Sequence, residues 1–212
     1  MLNQYLTAVE IEPTSATYWL ETIRIYCEAF PAWEREPEKI IAKRVTEGRY
    51  RLNAGIVNEK VIGFYLMDLN PEPRYAALCF LAVDVQHRGK GWGTLLCQDA
   101  VRYYKNLVDF PWLFIEAQER QAAYYGRIGF LKLVLEYQMP HFNGPGSLPM
   151  HLMVLPNKPP PASIRGSELA AILRNLFVQG YQLNSDDPRI AEQLARVENN
   201  VELITWPEDD DT

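Results

Sequence analysis

Between residues 75 and 106 the chain passes from an almost uninterrupted apolar run, through a turn with glycine at every second position, into a segment of helical spacing. The apolar run, YAALCFLAVDV over 75–85, suits a strand buried on both faces. Gly89, Gly91 and Gly93 follow, and Leu95, Leu96, Asp99, Ala100, Tyr103 and Tyr104 then recur at three and four over roughly 94–106. A strand that enters a helix through such a turn commits the chain to an α/β unit. Glycine permits positive φ and close approach of a ligand to the backbone. Successive N–H groups there, with the helix N-terminus, make an anion cradle. Arg88 and Lys90 add positive charge, so the turn reads as a pyrophosphate site. Its spacing is GxGxG, neither the Walker GxxxxGK[ST] nor the Rossmann GxGxxG, which leaves little room for a nucleotide-binding switch.

The flanking sequence alternates strands and helices. Strands are expected at 5–11, 51–57, 60–68, 112–117, 131–139 and 150–155, with Asn58-Glu59 turning the second into the third. Helices are expected from a Thr14 cap to Phe30, from Pro37 to Gly48, and over 119–127. Asn70–Pro73 and 140–149 read as loops. Pro156-Asn-Lys-Pro-Pro-Pro161 marks a boundary between a main domain, 1–157, and a Pro-rich linker with a helical C-terminal extension, 158–212. In the extension, one helix runs from Ser167-Glu168 to near Gly180, a second opens at Asp186-Asp187-Pro188, and 201–206 could be a short strand. The tail Pro207–Thr212 reads as solvated. So short a piece is expected to pack on the core or on a partner subunit, which leaves a homodimer open.

Charge narrows the partners. The net charge is −6, and 5 basic against 10 acidic residues from Lys158 onward place most of it in the extension. No nucleic acid and no membrane surface is expected as partner. No apolar run approaches the ~20 residues of a membrane span, and the first residues lack the pattern of a signal peptide. Cys27, Cys79 and Cys97 sit in apolar stretches, form no disulfide framework and show no metal-ligand spacing. A cytoplasmic protein without a metal is the expectation.

The turn also carries a family resemblance. Gln86-His-Arg-Gly89-Lys-Gly91 matches the Q/R-x-x-G-x-G/A signature of the GNAT family of N-acetyltransferases. Leu81-Ala82-Val83 before it and Thr94-Leu95-Leu96 after it also look like that family. Downstream, Tyr125-Gly-Arg-Ile-Gly129-Phe130 resembles its Tyr-x-x-x-Gly-Phe element. The resemblance spans roughly 3–155 and is most specific over 80–130.

The resemblance implies a mixed, mostly antiparallel sheet splayed between two central parallel strands, 75–85 and 112–117, with helices on both faces. Acetyl-CoA, as cosubstrate, would lie in the split. Leu81, Ala82 and Val83 would pair with the pantetheine arm, and Gln86, Arg88, Gly89, Lys90, Gly91, Trp92, Gly93 and Thr94 would hold the pyrophosphate. Gln118 stands where many members carry a cofactor-contacting Asn. Tyr125 would be the proton donor to the departing thiolate. Glu116 resembles the strand Glu that certain ribosomal-protein Nα-acetyltransferases use as base, and the same residue could equally serve as a structural ion-pair partner.

The acceptor side should be built from the first helices and the 140–149 loop. Trp33 and Glu34 place an aromatic beside a carboxylate, suited to a cationic amine, and His141 could touch substrate. The expected activity is direct acetyl transfer to a primary amine of a small molecule or peptide in a ternary complex. The alternative is a non-catalytic acyl-CoA-binding sensor or interaction module.

Overall fold

The computed structural model describes residues 5–206, so the tail expected to be solvated lies outside the described residues. The described residues divide into two compact units, 5–69 with 77–107, and 70–76 with 108–206.

The first unit holds β1 (Thr7–Glu10), α1 (Ala16–Ala29), α2 (Glu38–Thr46), β2 (Tyr50–Val57), most of β3 (Lys60–Pro71), most of β4 (Arg74–Val83) and α3 (Trp92–Lys105). β1 pairs antiparallel with β2, and β2 with β3. Asn58 and Glu59 both take positive φ, 49° and 63°, the geometry of a two-residue hairpin turn. Asn70 and Pro71, expected in a loop, instead complete β3. Ser15, not Thr14, occupies the N-cap of α1, and the Thr14 hydroxyl points to Glu12 instead. Cys27 is exposed, against its apolar sequence setting, because it falls on the outer side of α1; Cys97 is buried.

Two glycines explain how α3 seats on this sheet. Gly55 pairs with Gly63, and a Cβ at either would lie 2.9 Å from the Leu96 side chain. Phe64, one residue on, must point to the opposite face. There its ring meets Tyr26 of α1 at 6.2 Å, and Tyr26 meets Phe80 at 4.9 Å. Helices therefore cover both faces of this sheet. Toward its C-terminal end β4 alternates buried Phe80 and Ala82 with half-buried Cys79, Leu81 and Val83. It is thus not buried on both faces throughout, as its composition suggested.

The second unit holds β5 (Trp112–Ala117), α4 (Glu119–Arg127), β6 (Leu131–Leu133), β7 (Tyr137–Pro140), β8 (Ser147–Pro156), β9 (Ser163–Arg165), α5 (Gly166–Asn175), a π-helical turn over Leu176–Gly180, α6 (Pro188–Leu194) and β10 (Asn200–Ile204). Its strand order is β5-β8-β6-β10-β9, with β7 also on β8. β8 is the spine. One edge pairs with β5 along its length, from Trp112↔Pro156 to Ala117↔His151. The other edge takes two successive partners, β6 at Met153 and Val154, and β7 from Ser147 to Met150. That division splits the single strand expected over 131–139, since the chain must bend at Val134-Leu135 to change position along β8. β7 and β8 also reach into the expected 140–149 loop and shorten it to 141–146.

The residues after Asn157 join this sheet. β10 pairs antiparallel with β6 and with β9, a strand that its three-residue length hid in the sequence. Leu169, Ile172 and Leu173 form the buried stripe of α5. The fold class is the mixed α/β arrangement expected: a mostly antiparallel sheet with a parallel pair and helices around it.

Candidate functional site

The glycine turn belongs to the first unit. Asp84, 4% exposed, leaves β4 and accepts the Gln86 N–H at 2.9 Å, closing a 3-10 turn over Val85–His87. Arg24 of α1 reaches the other Asp84 oxygen. Burial pushes the Asp84 carboxyl up, but the Arg24 guanidinium, the Gln86 N–H and His87 outweigh it and hold it below the ordinary carboxylate range.

Beyond this turn, Gly89 and Gly91 adopt left-handed φ of 76° and 80°, and Gly91 is the N-cap of α3. A Cβ at either would meet nothing within 4 Å. The Trp92, Gly93 and Thr94 N–H groups form the first turn of a 14-residue helix, where such donors have no intrahelical acceptor. Leu95 begins the helical ladder by donating to the Gly91 carbonyl at 3.2 Å. The arrangement is an open row of backbone donors at a positive dipole end. Lys90 is exposed, and Arg88 turns its Nε back to the Val83 carbonyl at 3.1 Å. A pyrophosphate fits this donor set. Leu81, Ala82 and Val83 lie immediately upstream on β4, and Gln86 in the 3-10 turn, so the expected cofactor residues of this unit form one continuous stretch.

Trp33 and Glu34 are half-buried in the α1–α2 connection, where the Glu34 N–H donates to Pro31. Burial raises the Glu34 carboxyl above its usual range. The more deeply buried acid nearby is Glu36, the second carboxylate of the Phe30–Glu36 segment, whose burial its loop setting did not announce. It pairs with Arg44 at 2.6 Å, and Arg44 also donates to the Tyr50 hydroxyl. The Arg44–Glu36 pair is a tertiary contact that helical spacing does not announce.

The second unit carries Glu116 on β5, Gln118 at the N-cap of α4, Tyr125 on α4 and His141 in the β7–β8 loop. Gln118 is exposed and makes no capping bond with its side chain. Tyr125 is 8% exposed and stands edge-on to Phe130 at 5.6 Å. His141 donates its N–H to the Gly146 carbonyl across the loop, and its ring crowds Gly146, where a Cβ would lie 2.5 Å from Nδ1. His151 meets Glu119 at 2.6 Å.

Glu116 has the most developed surroundings. One oxygen accepts the hydroxyl of Tyr137 and the other that of Tyr181. Burial, then the neighbouring Glu116 charge, pushes the Tyr137 phenol well above its usual range, so it stays a donor. Neither tyrosine was picked out from the sequence. Tyr137 carried only a strand pattern, and Tyr181 lies 65 positions from Glu116.

Among the described residues, no helix is long and apolar enough to cross a membrane. Residues 19–130, more than half of the chain, match the model of the acetyltransferase (GNAT) family. No match was found among curated proteins. Three similar solved structures illustrate the fold. A Bacteroides thetaiotaomicron protein assigned to the GNAT family of acetyltransferases has TM-score 0.68 and 18% identity, covering 84% of this chain and 99% of its own. Spermidine N-acetyltransferase from Vibrio cholerae, in complex with CoA and spermine, has TM-score 0.55 and 18% identity, covering 72% and 95%. The ribosomal-protein-S18-alanine N-acetyltransferase of Escherichia coli has TM-score 0.54 and 22% identity, covering 74% and 97%.

Proposed function

This chain belongs to the GNAT acetyltransferase family, and on that premise we propose that it moves an acetyl group from acetyl-CoA to a primary amine of a small molecule or peptide, in the cytoplasm. The observation that carries the proposal is the turn at 88–94. Two left-handed glycines open a row of N–H groups at the start of α3, with free space over both.

The N–H groups from Arg88 through Gly93 hold the pyrophosphate, and Arg88 and Lys90 add charge. Backbone groups of Leu81 and Val83 align the pantetheine arm. The Val83 carbonyl already accepts Arg88 Nε, and its second lone pair leaves it able to accept once more. Acetyl-CoA supplies a thioester carbonyl open to attack. The amine nitrogen bonds to that carbon as the C–S bond breaks, and the products are an amide and the free thiol. Glu116 takes the proton the nitrogen must lose, directly or through water. Both its oxygens accept phenols, and a carboxylate offers about four lone-pair sites in all. Tyr125 gives a proton to the departing sulfur and recovers it from solvent. Trp33, Glu34 and His141 are proposed on the acceptor side, where an aromatic and carboxylates favour a cation.

Thiol release from acetyl-CoA tests this across spermidine, spermine and a peptide beginning with alanine. The expected result is release with at least one of them, together with thermal stabilisation of the protein by CoA. Stabilisation by CoA without thiol release from any amine would replace the enzyme with an acyl-CoA sensor. Stabilisation by ATP but not by CoA would overturn both.

A further inference from the structure

Glu116 sits on β5 with Leu152 of β8 opposite it, and its carboxylate is held at both ends. Tyr137 donates to Oε1 and Tyr181 to Oε2. Both tyrosines are almost fully buried, at 1% and 6% exposure. Phe177, in the π-helical turn, stands edge-on to each of them with centroids 6.1 Å away. Phe142 lies 4.8 Å from Tyr181 on the side of the β7–β8 loop.

The backbone around Tyr181 is equally fixed. Its N–H donates to Leu176 at 3.0 Å, and the Leu183 N–H donates to Phe177 at 3.1 Å. Between them Gln182 takes a left-handed φ of 58°, unusual for a residue with a side chain. Further along, Arg189 donates to the Gly144 and Gly146 carbonyls, both at 3.1 Å, and is itself gripped by Asp187. Gln193 bonds the backbone at Glu136 and Gln138, on either side of Tyr137. All these anchors come from residues beyond the 19–130 segment that matches the family.

We propose that Tyr181, supplied by the C-terminal segment, is a positioning residue for Glu116 in acetyl transfer. The proposal rests on the reading of Glu116 as the base. A glutamate side chain on a strand turns freely about its last bond, so one donor leaves its plane undetermined. Donors on two different oxygens fix that plane, and the remaining lone pairs then point in set directions. Replacing the Tyr181 hydroxyl by hydrogen removes that donor from Oε2 while Tyr137 still holds Oε1. A base misplaced by an ångström can cost two orders of magnitude in rate.

The test compares wild type, Tyr181→Phe, Glu116→Gln and the double variant, with acetyl-CoA and whichever amine of the panel turns over fastest. Tyr181→Phe keeps every ring contact. It should lower kcat about 10- to 100-fold and leave the KM for acetyl-CoA and the thermal stabilisation by CoA unchanged. In the Glu116→Gln background it should cost nothing further, because there is no base left to aim. A kcat within twofold of wild type overturns the proposal, and so does a loss that persists in the Glu116→Gln background. Should Tyr181→Phe fail to fold, Phe142→Leu loosens the same ring without removing the hydroxyl and should give a milder kcat loss with the same dependence on Glu116. Full activity in Glu116→Gln would instead remove the base reading, and this proposal with it, while the transferase assignment stands. Absence of thiol release with every amine of the panel would sink the transferase assignment itself.

Discussion

Arg24, from α1, reaches the buried carboxylate of Asp84 at 2.5 Å, and Asp84 in turn caps the 3-10 turn that leads into the glycine cradle. The pair joins a helix to the loop proposed to bind pyrophosphate. Arg24→Ala is expected to loosen that loop and weaken CoA binding, read as a smaller thermal shift on adding CoA. Stability should fall as well, and in a pH-dependent way. The Asp84 carboxyl is held below its ordinary range, so its contribution is present above that range and is lost as pH falls through the depressed value. Denaturation curves of wild type and Arg24→Ala should therefore differ most at neutral pH and converge in acid. Equal differences at all pH values would count against the pair.

Gly91→Asp places a side chain on a residue with φ of 80° and a negative charge where an anion is proposed to sit. The backbone strain costs about 1–3 kcal/mol. We expect a modest drop in melting temperature without ligand and no stabilisation by CoA. Unchanged CoA affinity would show that the cradle assignment is wrong.

Tyr125→Phe keeps the edge-on contact with Phe130 and removes only the hydroxyl. General-acid catalysis is worth on the order of 10²–10⁴ in rate. The variant should bind CoA as wild type does and turn over slower by a factor within that range. A change in binding with normal turnover would make Tyr125 a packing residue.

Glu36 gives a second pH dependence of opposite sign. Burial pushes its carboxyl up to about 7, although Arg44 stands 2.6 Å away and pulls it down. Between the ordinary glutamate range and pH 7 the folded chain holds a proton that the unfolded chain has lost. This residue's contribution to stability therefore declines as pH rises through that window and levels off above it. Urea midpoints from pH 5 to 8 should show the decline in wild type. In Glu36→Gln the decline should flatten, with an overall loss because Arg44 is left buried without its acid.

Gly126 tolerates no side chain. A Cβ there would fall 1.5 Å from the Trp206 carbonyl oxygen, a backbone atom that cannot swing aside. Gly126→Ala should force the chain after β10 off α4 and cost about 1–3 kcal/mol or more. Limited proteolysis should then cut near Trp206 faster than in wild type; equal cutting rates would show that the contact is dispensable.

The parts of the molecule set by neighbouring residues were legible in the sequence. Pro111 before β5 and Gly129 after α4 bracket elements whose observed limits, Trp112–Ala117 and Glu119–Arg127, agree with the pattern. The turn from Asp84 to Thr94 was equally readable, since its glycines act on their own backbone. Features set by distant residues were not. β6 and β7 separate because of how β8 shares its edge, and no local signal at Val134-Leu135 announces it. Gly126 is an unspecified position of the Tyr-x-x-x-Gly-Phe element, and only the Trp206 backbone explains it. Glu116 was found from its strand and the family resemblance, whereas the two phenols on it come from 21 and 65 positions away.

The place of β10 in its sheet also bears on how the chain is made. β6 ends at Leu133, but the strand that covers its outer edge begins only at Asn200. While the ribosome adds the residues between them, that edge of β6 offers unpaired amides and carbonyls to any strand nearby. Completion of the second unit therefore waits on a late segment of the polypeptide. A nascent chain stalled before Asn200 would carry an unpaired strand edge.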